Sequence, residues 1–78
     1  METYRNLSGD SGVVAFETGD DFIAVRFRSG DIYWYTNASV GARHIAAMKK
    51  LARAGKGLST YISSHPEVRE GYAKKKPD

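Results

Sequence analysis

Arginine and tryptophan side chains lie close together between residues 26 and 34 of the 78-residue chain. Arg26 and Arg28 precede a glycine-containing turn, and Trp34, the only tryptophan, follows it. An indole ring can stack on a base while guanidinium groups bind phosphates, and each stacked base contributes about 1–3 kcal/mol. These three residues are therefore a candidate platform for nucleic acid. The alternative is that Trp34 fills the core, and the sequence favours neither interpretation over the other.

A second set of basic residues follows in the C-terminal half. These candidate phosphate contacts are Arg43, Lys49, Lys50, Arg53 and Lys56. Acidic residues concentrate before residue 32, so this half is predicted to form a basic face. The net charge of +3 favours an acidic partner such as nucleic acid. The alternative for each residue is a solvated helix face.

Other site chemistries find little support in the residue types. The chain has no cysteine, and no acidic residue stands at a ligand-like spacing from His44 or His65. Zinc sites need three or four such donors, so no metal and no cofactor is expected. His65 with Ser59, Ser63 or Ser64 offers a base and a hydroxyl, but neighbours in sequence rarely give catalytic geometry. We predict a protein that is not an enzyme.

The Gly55-Lys56-Gly57 segment resembles part of a phosphate-binding loop. It lacks the preceding strand and the glycine spacing of a P-loop, so a turn between two helices explains it better. The weaker alternative is an anion site made by Lys56 and the free N–H groups of a following helix.

Strands that position these residues are predicted from side-chain periodicity. Residues 13–16 form a short apolar run that ends in a Thr-Gly-Asp turn. Residues 21–28 alternate apolar and polar side chains, as half-buried strands do. Residues 31–36 are rich in aromatic and β-branched types. The last two segments, joined by a short turn, predict a β-hairpin.

The register of this hairpin decides which face carries the tryptophan. A two-residue turn would pair Val25 with Trp34 and place Trp34 in the core. A three-residue loop with Gly30 in a left-handed bulge would pair Val25 with Tyr33 and put Trp34 beside Arg26 on the other face. A slip of one residue exchanges the faces, so the registers exclude each other. The Tyr-x-Tyr spacing favours the bulged register.

The period then changes to that of helices. Asn37 or Ser39 is predicted to cap a helix that runs from about residue 40 to residue 54, where a glycine stops it. A short helix is predicted from about Leu58 to the residue before Pro66, because that residue is disfavoured in helical geometry. The predicted core contains Val14, Phe16, Ile23, Val25, Phe27, Tyr33, Tyr35, Ile45, Met48, Leu51, Leu58, Tyr61 and Ile62.

An ordered succession of motifs runs through the chain. Tyr33-Trp34-Tyr35 follows the hairpin turn, Ala54-Gly55-Lys56-Gly57 leads from a helix to Tyr61, and residues 68–72 read Val-Arg-Glu-Gly-Tyr. This succession resembles the KTSC domain, which is found at the C-terminus of some lysyl-tRNA synthetases and as a stand-alone bacterial protein. The resemblance covers roughly residues 12–72. It implies no established activity, and the synthetase context implies RNA binding.

These observations predict an α+β fold, with a three-stranded antiparallel β-meander and one long and one short helix packed on one face. Residues 1–11 are predicted to be a flexible segment, 12–72 the KTSC-like domain, and 73–78 a basic tail. We expect a non-catalytic module that binds RNA or another single-stranded nucleic acid. The alternative is a domain for protein–protein interaction or self-association. No signal peptide or apolar span is seen, so we expect a cytoplasmic protein without a membrane partner.

Overall fold

Four strands come first along the chain, four helices follow them, and a fifth strand closes the described fold. The computed structural model describes residues 1–7, 9 and 11–77. Its strands are β1 (Glu2–Thr3), β2 (Val13–Thr18), β3 (Phe22–Phe27), β4 (Ile32–Thr36) and β5 (Lys74–Lys76). Its helices are α1 (Asn37–Val40), α2 (Ala42–Ala54), α3 (Leu58–Ser64) and α4 (Pro66–Arg69). Within this part of the chain, no helix is long and apolar enough to cross a membrane.

The sheet is antiparallel, and its strands lie side by side in chain order from β1 to β5. The α+β class is confirmed, but the prediction of three strands is wrong because the sheet has five. Strands β1 and β5 come from the segments 1–11 and 73–78, in which Ser8, Asp10 and Asp78 lie outside the described residues. Both edge strands consist of exposed residues. Their pairing rests on backbone hydrogen bonds, which leave no apolar alternation in the sequence.

A bulge in β2 changes which valine faces the core. Val13 pairs with Phe27 and Ala15 pairs with Arg26, so the register shifts across Val14. Val13 is 1% exposed and Val14 is 38% exposed. The prediction that Val14 is a core residue is therefore wrong, because the bulge adds a residue and moves the buried position by one.

The helical region begins earlier than predicted and is interrupted. Thr36 caps α1: its Oγ1 accepts a hydrogen bond from the Ser39 N–H at 3.0 Å, and the Ser39 Oγ accepts one from the Thr36 N–H at 2.9 Å. Gly41, with φ of 97° and ψ of 146°, separates α1 from α2. The predicted single helix is thus two helices, because this backbone conformation is not helical.

Glycine and proline set the later helix ends as predicted. Gly55 ends α2 in the left-handed conformation with φ of 79°, and its N–H donates to the Leu51 and Ala52 carbonyls. Helix α3 ends before His65, whose backbone is extended, and Pro66 then starts α4. The prediction of one long and one short helix is incomplete, since α1 and α4 add a turn each.

The core lies between one face of the sheet and the helices. Tyr4 joins it from the N-terminal segment, and its hydroxyl accepts a hydrogen bond from the Leu58 N–H at 3.3 Å. The predicted core residues found buried are Phe16, Ile23, Val25, Tyr35, Ile45, Met48, Leu58 and Ile62. Those found partly buried against this cluster are Phe27, Tyr33, Leu51 and Tyr61. Buried residues absent from the predicted core are Tyr4, Val13, Ala24, Ala52 and Val68.

Candidate nucleic-acid interface

The turn between β3 and β4 sets the face on which Trp34 lies. The Phe27 carbonyl accepts from the Gly30 N–H at 2.8 Å, and the Phe27 N–H donates to the Asp31 carbonyl at 2.9 Å. Gly30 has φ of 98°, which a glycine tolerates and a bulge of this kind requires. Val25 consequently pairs with Tyr33. The bulged register is confirmed.

In this register Trp34 lies on the sheet face opposite the helices. It pairs with Ala24, and the adjacent pair on that face is Arg26 with Ile32. Tyr35, the next residue along β4, points into the core and is 1% exposed. Trp34 itself is only partly buried. An indole and a guanidinium group therefore share one face of the sheet, as the bulged register predicted.

Strand β5 adds two further cations to this face. Trp34 pairs with Lys74 and Ile32 pairs with Lys76. The Lys74 ammonium lies 5.2 Å from the centroid of the indole ring, within the range of a cation–π contact. Because side chains alternate along a strand, Lys75 points to the helix side, where its ammonium lies 5.3 Å from the Tyr33 ring. We call Arg26, Trp34, Lys74 and Lys76 the tryptophan face.

The other predicted site residues lie elsewhere. Arg28 is in the hairpin turn, where its guanidinium donates to the Ser11 carbonyl at 3.0 Å. The Lys49 ammonium donates to the Gly19 and Asp20 carbonyls, and Arg53 donates to the Thr18 hydroxyl at 3.5 Å. These contacts attach α2 to the end of β2 and to the turn that follows it.

The remaining three predicted phosphate contacts are Arg43, Lys50 and Lys56, and all are exposed. Arg43 and Lys50 belong to α2, which packs on the sheet face opposite Trp34 through Ile45 and Met48. Arg43 and Lys50 therefore lie on the helix layer, on the other side of the sheet from the indole ring.

Sequence reasoning missed Lys74 and Lys76. A run of three lysines has no apolar alternation, so it is typical of a solvated tail and carries no strand signal. The pairing of 74–76 with β4 is a long-range contact, and Tyr72, two residues earlier, is the only hint that this segment docks. Its ring meets Tyr33 edge-on at a centroid distance of 4.9 Å.

Comparison with family models, curated proteins and solved structures gives no match for this chain. The resemblance to the KTSC domain therefore stays a prediction, and the function has to be argued from the surface itself.

The two histidines are close in space although far apart in sequence. Their rings lie 5.4 Å apart, and Tyr61 stacks on His65 at 4.0 Å. The His44 Nδ1 is 2.6 Å from the Tyr61 hydroxyl, and its Nε2 is 3.6 Å from the Glu67 carboxylate. Burial and the Glu67 charge raise the pKa of Tyr61. Spacing along the sequence did not indicate an acidic neighbour for His44, because the contact between His44 and Glu67 forms only when α4 folds back on α2.

In the part of the chain that the structure describes, no three His, Cys, Asp or Glu side chains are grouped to hold a metal ion. The cluster of His44, Tyr61 and His65 joins α2, α3 and α4 through ring packing and hydrogen bonds.

Proposed function

We propose that this chain is a small non-catalytic module that binds single-stranded nucleic acid, RNA above all, on the tryptophan face. The observation that carries the proposal is the ring of Trp34 with cations on both sides, Lys74 and Lys76 from β5 and Arg26 from β3. A base stacked on the indole would place its flanking phosphates near these groups.

The geometry of the sheet supports such a path. Adjacent strands lie about 4.8 Å apart, so cations on β3 and β5 stand on either side of the β4 indole at the distance of one strand. A nucleic-acid backbone that crosses the strands passes both. With about three phosphate contacts, the logarithm of the binding constant should fall with the logarithm of salt concentration with a slope of about −2.

The resemblance to the KTSC domain, with its synthetase context, agrees with an RNA-binding role in the cytoplasm. The same exposed indole would also suit a protein partner or a second copy of the chain. Self-association is less favoured, because two such faces would bring their cations together. It therefore enters as an outcome of the test.

Fluorescence anisotropy of labelled oligo(U) and oligo(dT), measured at salt concentrations between about 50 and 200 mM, tests the proposal. Wild type should bind with the slope given above, and Trp34→Ala should weaken binding by about tenfold, the equivalent of one lost stacking contact. The double substitution of Lys74 and Lys76 by Gln should reduce the slope by about 1.4.

Lys75→Gln is the matched control, because it removes the same charge from the same strand on the opposite face. It should leave the affinity and the slope close to those of wild type. Absence of binding at low salt, or an equal loss for Lys75→Gln and Lys74→Gln, would refute the proposed surface. A concentration-dependent dimer that Trp34→Ala abolishes, together with no oligonucleotide binding, would assign the face to self-association.

A further inference from the structure

A cleft opens on the helix side of the sheet, away from the tryptophan face. Its volume is about 320 Å³, at the lower end of the range for small-molecule sites. Phe27, Tyr33 and Tyr35 line it from the sheet, and Ser59 and Ser63 line it from α3. The cleft thus separates an aromatic wall from a wall of short polar side chains.

The sequence of α3 explains why this space is not filled. Ser59 and Ser63 are four residues apart, so they lie on the same side of the helix. Ile62 beside them is buried, but a serine side chain is too short to reach the rings of the hairpin. Large side chains on the sheet therefore face small ones on the helix, and a gap remains.

The aromatic wall is held in place by its own contacts. The ring of Tyr33 meets Phe27 at 5.3 Å and Tyr72 at 4.9 Å between centroids, both nearly perpendicular. Such edge-to-face contacts are favourable, and they leave ring surface that suits an aromatic ligand. The wall is thus preformed.

The charged residue of the lining is Arg69. Its guanidinium is 3.8 Å from the Glu70 carboxylate, and these two side chains are 53% and 76% exposed. The guanidinium also donates to the Ser63 carbonyl at 3.4 Å. Both contacts are exposed and contribute little stability, so the guanidinium can turn to an anion in the cleft at small cost. A guanidinium also matches the geometry of carboxylate and phosphate oxygens.

Further polar groups surround the cleft. The Ser63 hydroxyl donates to the Ser59 carbonyl at 3.0 Å, which leaves its lone pairs as acceptors. Burial, with the nearby Tyr33 and Tyr72, raises the pKa of Tyr35, so this phenol stays neutral. A hydrogen bond to Tyr33 raises the pKa of Lys75, whose ammonium lies 3.8 Å from Asp31. The lining itself therefore contains a cation and neutral hydroxyl groups.

We propose that this cleft binds a small ligand that joins a flat ring to one anionic group, a carboxylate or a phosphate. The ring lies against Phe27 and Tyr33, and the anion binds Arg69. This site is separate from the tryptophan face, so it goes beyond the nucleic-acid proposal and does not depend on it.

Amide chemical-shift titrations of the full chain test the proposal with four probes. Uridine monophosphate and 4-hydroxybenzoate carry a ring and an anion, whereas uridine carries only the ring and inorganic phosphate only the anion. At least one of the first two should shift the amides of Tyr33, Ser59 and Ser63 in a saturable way. It should bind about tenfold more tightly than uridine and phosphate, since each lacks one half of the contact. Tighter binding of one of the two ring anions shows whether the ligand of the cleft is of the phosphate or of the carboxylate type.

Arg69→Gln should lower the affinity for the ring anion by about tenfold, and Arg69→Lys should restore part of this affinity. Arg43→Gln, which removes an exposed arginine from α2, is the matched control and should change nothing. Trp34→Ala should also leave this binding intact while it weakens oligonucleotide binding. The proposal is overturned if neither ring anion causes saturable shifts, if Arg69→Gln binds as tightly as wild type, or if the shifts centre on Lys74 instead.

Discussion

At the residue scale, the bulge in β2 decides which of two adjacent valines stabilises the domain. Val13 belongs to the same buried cluster as Phe16 and Val25, whereas Val14 is 38% exposed. The two residues have the same side chain and the same strand, so their difference isolates burial from strand propensity.

Val13→Ala is expected to lower the free energy of unfolding by about 2 kcal/mol, because it removes two buried methyl groups and leaves a cavity. Val14→Ala should change it by less than about 0.5 kcal/mol. Urea denaturation followed by circular dichroism measures both. Equal losses for the two variants would show that the bulge is absent in solution.

The face of each hairpin residue could be predicted from the sequence, because register depends on a local turn. Gly30 permits the bulge, and the Tyr-x-Tyr spacing indicates which pair is buried. The bulge at Val14 gave no such signal: two successive valines fit either face, and only pairing with β3 distinguishes them.

At the element scale, the C-terminal end of α2 is also where the N-terminal segment attaches. Gly55 is left-handed with φ of 79°, and its carbonyl accepts from the Leu7 N–H at 2.7 Å. A Cβ on Gly55 would come within 2.8 Å of the Arg5 Cβ. The glycine is thus required both by the backbone angle and by the close approach of residues 5–7.

Gly55→Ala should therefore lower the free energy of unfolding by about 1–3 kcal/mol, the cost of holding a non-glycine residue in this conformation. Gly12→Ala is the matched control, since a Cβ there meets no atom within 4 Å and should change stability by less than about 0.5 kcal/mol. Thermal unfolding of both variants gives the comparison. The expectation fails if the Gly55 variant unfolds at the wild-type temperature.

Helix ends at Gly55 and Pro66 could be predicted because each residue restricts its own backbone. The break at Gly41 could not be predicted, since a glycine near the start of an apolar stripe is equally compatible with one continuous helix. Strands β1 and β5 were not predictable either. Their side chains are exposed, and the partner strands lie more than ten residues away.

At the scale of the whole molecule, the two layers separate charges that the sequence groups together. The C-terminal half of the chain is basic, but Arg43 and Lys50 lie on the helix layer while Lys74 and Lys76 join the tryptophan face. Charge counted along the chain therefore predicts a basic character and cannot predict which side of the sheet carries it. The position of the interface depends on the layer to which each element belongs.

The two layers also enclose Tyr35, which links global unfolding to pH. Burial raises the pKa of this phenol well above its ordinary value of about 10, with further contributions from Tyr33 and Tyr72. Above pH 10 the unfolded chain loses a proton that the folded chain retains, so unfolding becomes more favourable. The stability that comes from this difference is complete below pH 10 and is lost as the pH rises beyond it.

Between pH 10 and 11, wild type should consequently lose about 1 kcal/mol more of its unfolding free energy than Tyr35→Phe, which has no proton to release at this position. Urea denaturation at several pH values gives both slopes. The slopes are the quantity to compare, because removing the hydroxyl also changes stability at neutral pH. Parallel slopes would mean that the phenol ionises in the folded state as easily as in the unfolded chain, and that the layers do not shield it from water.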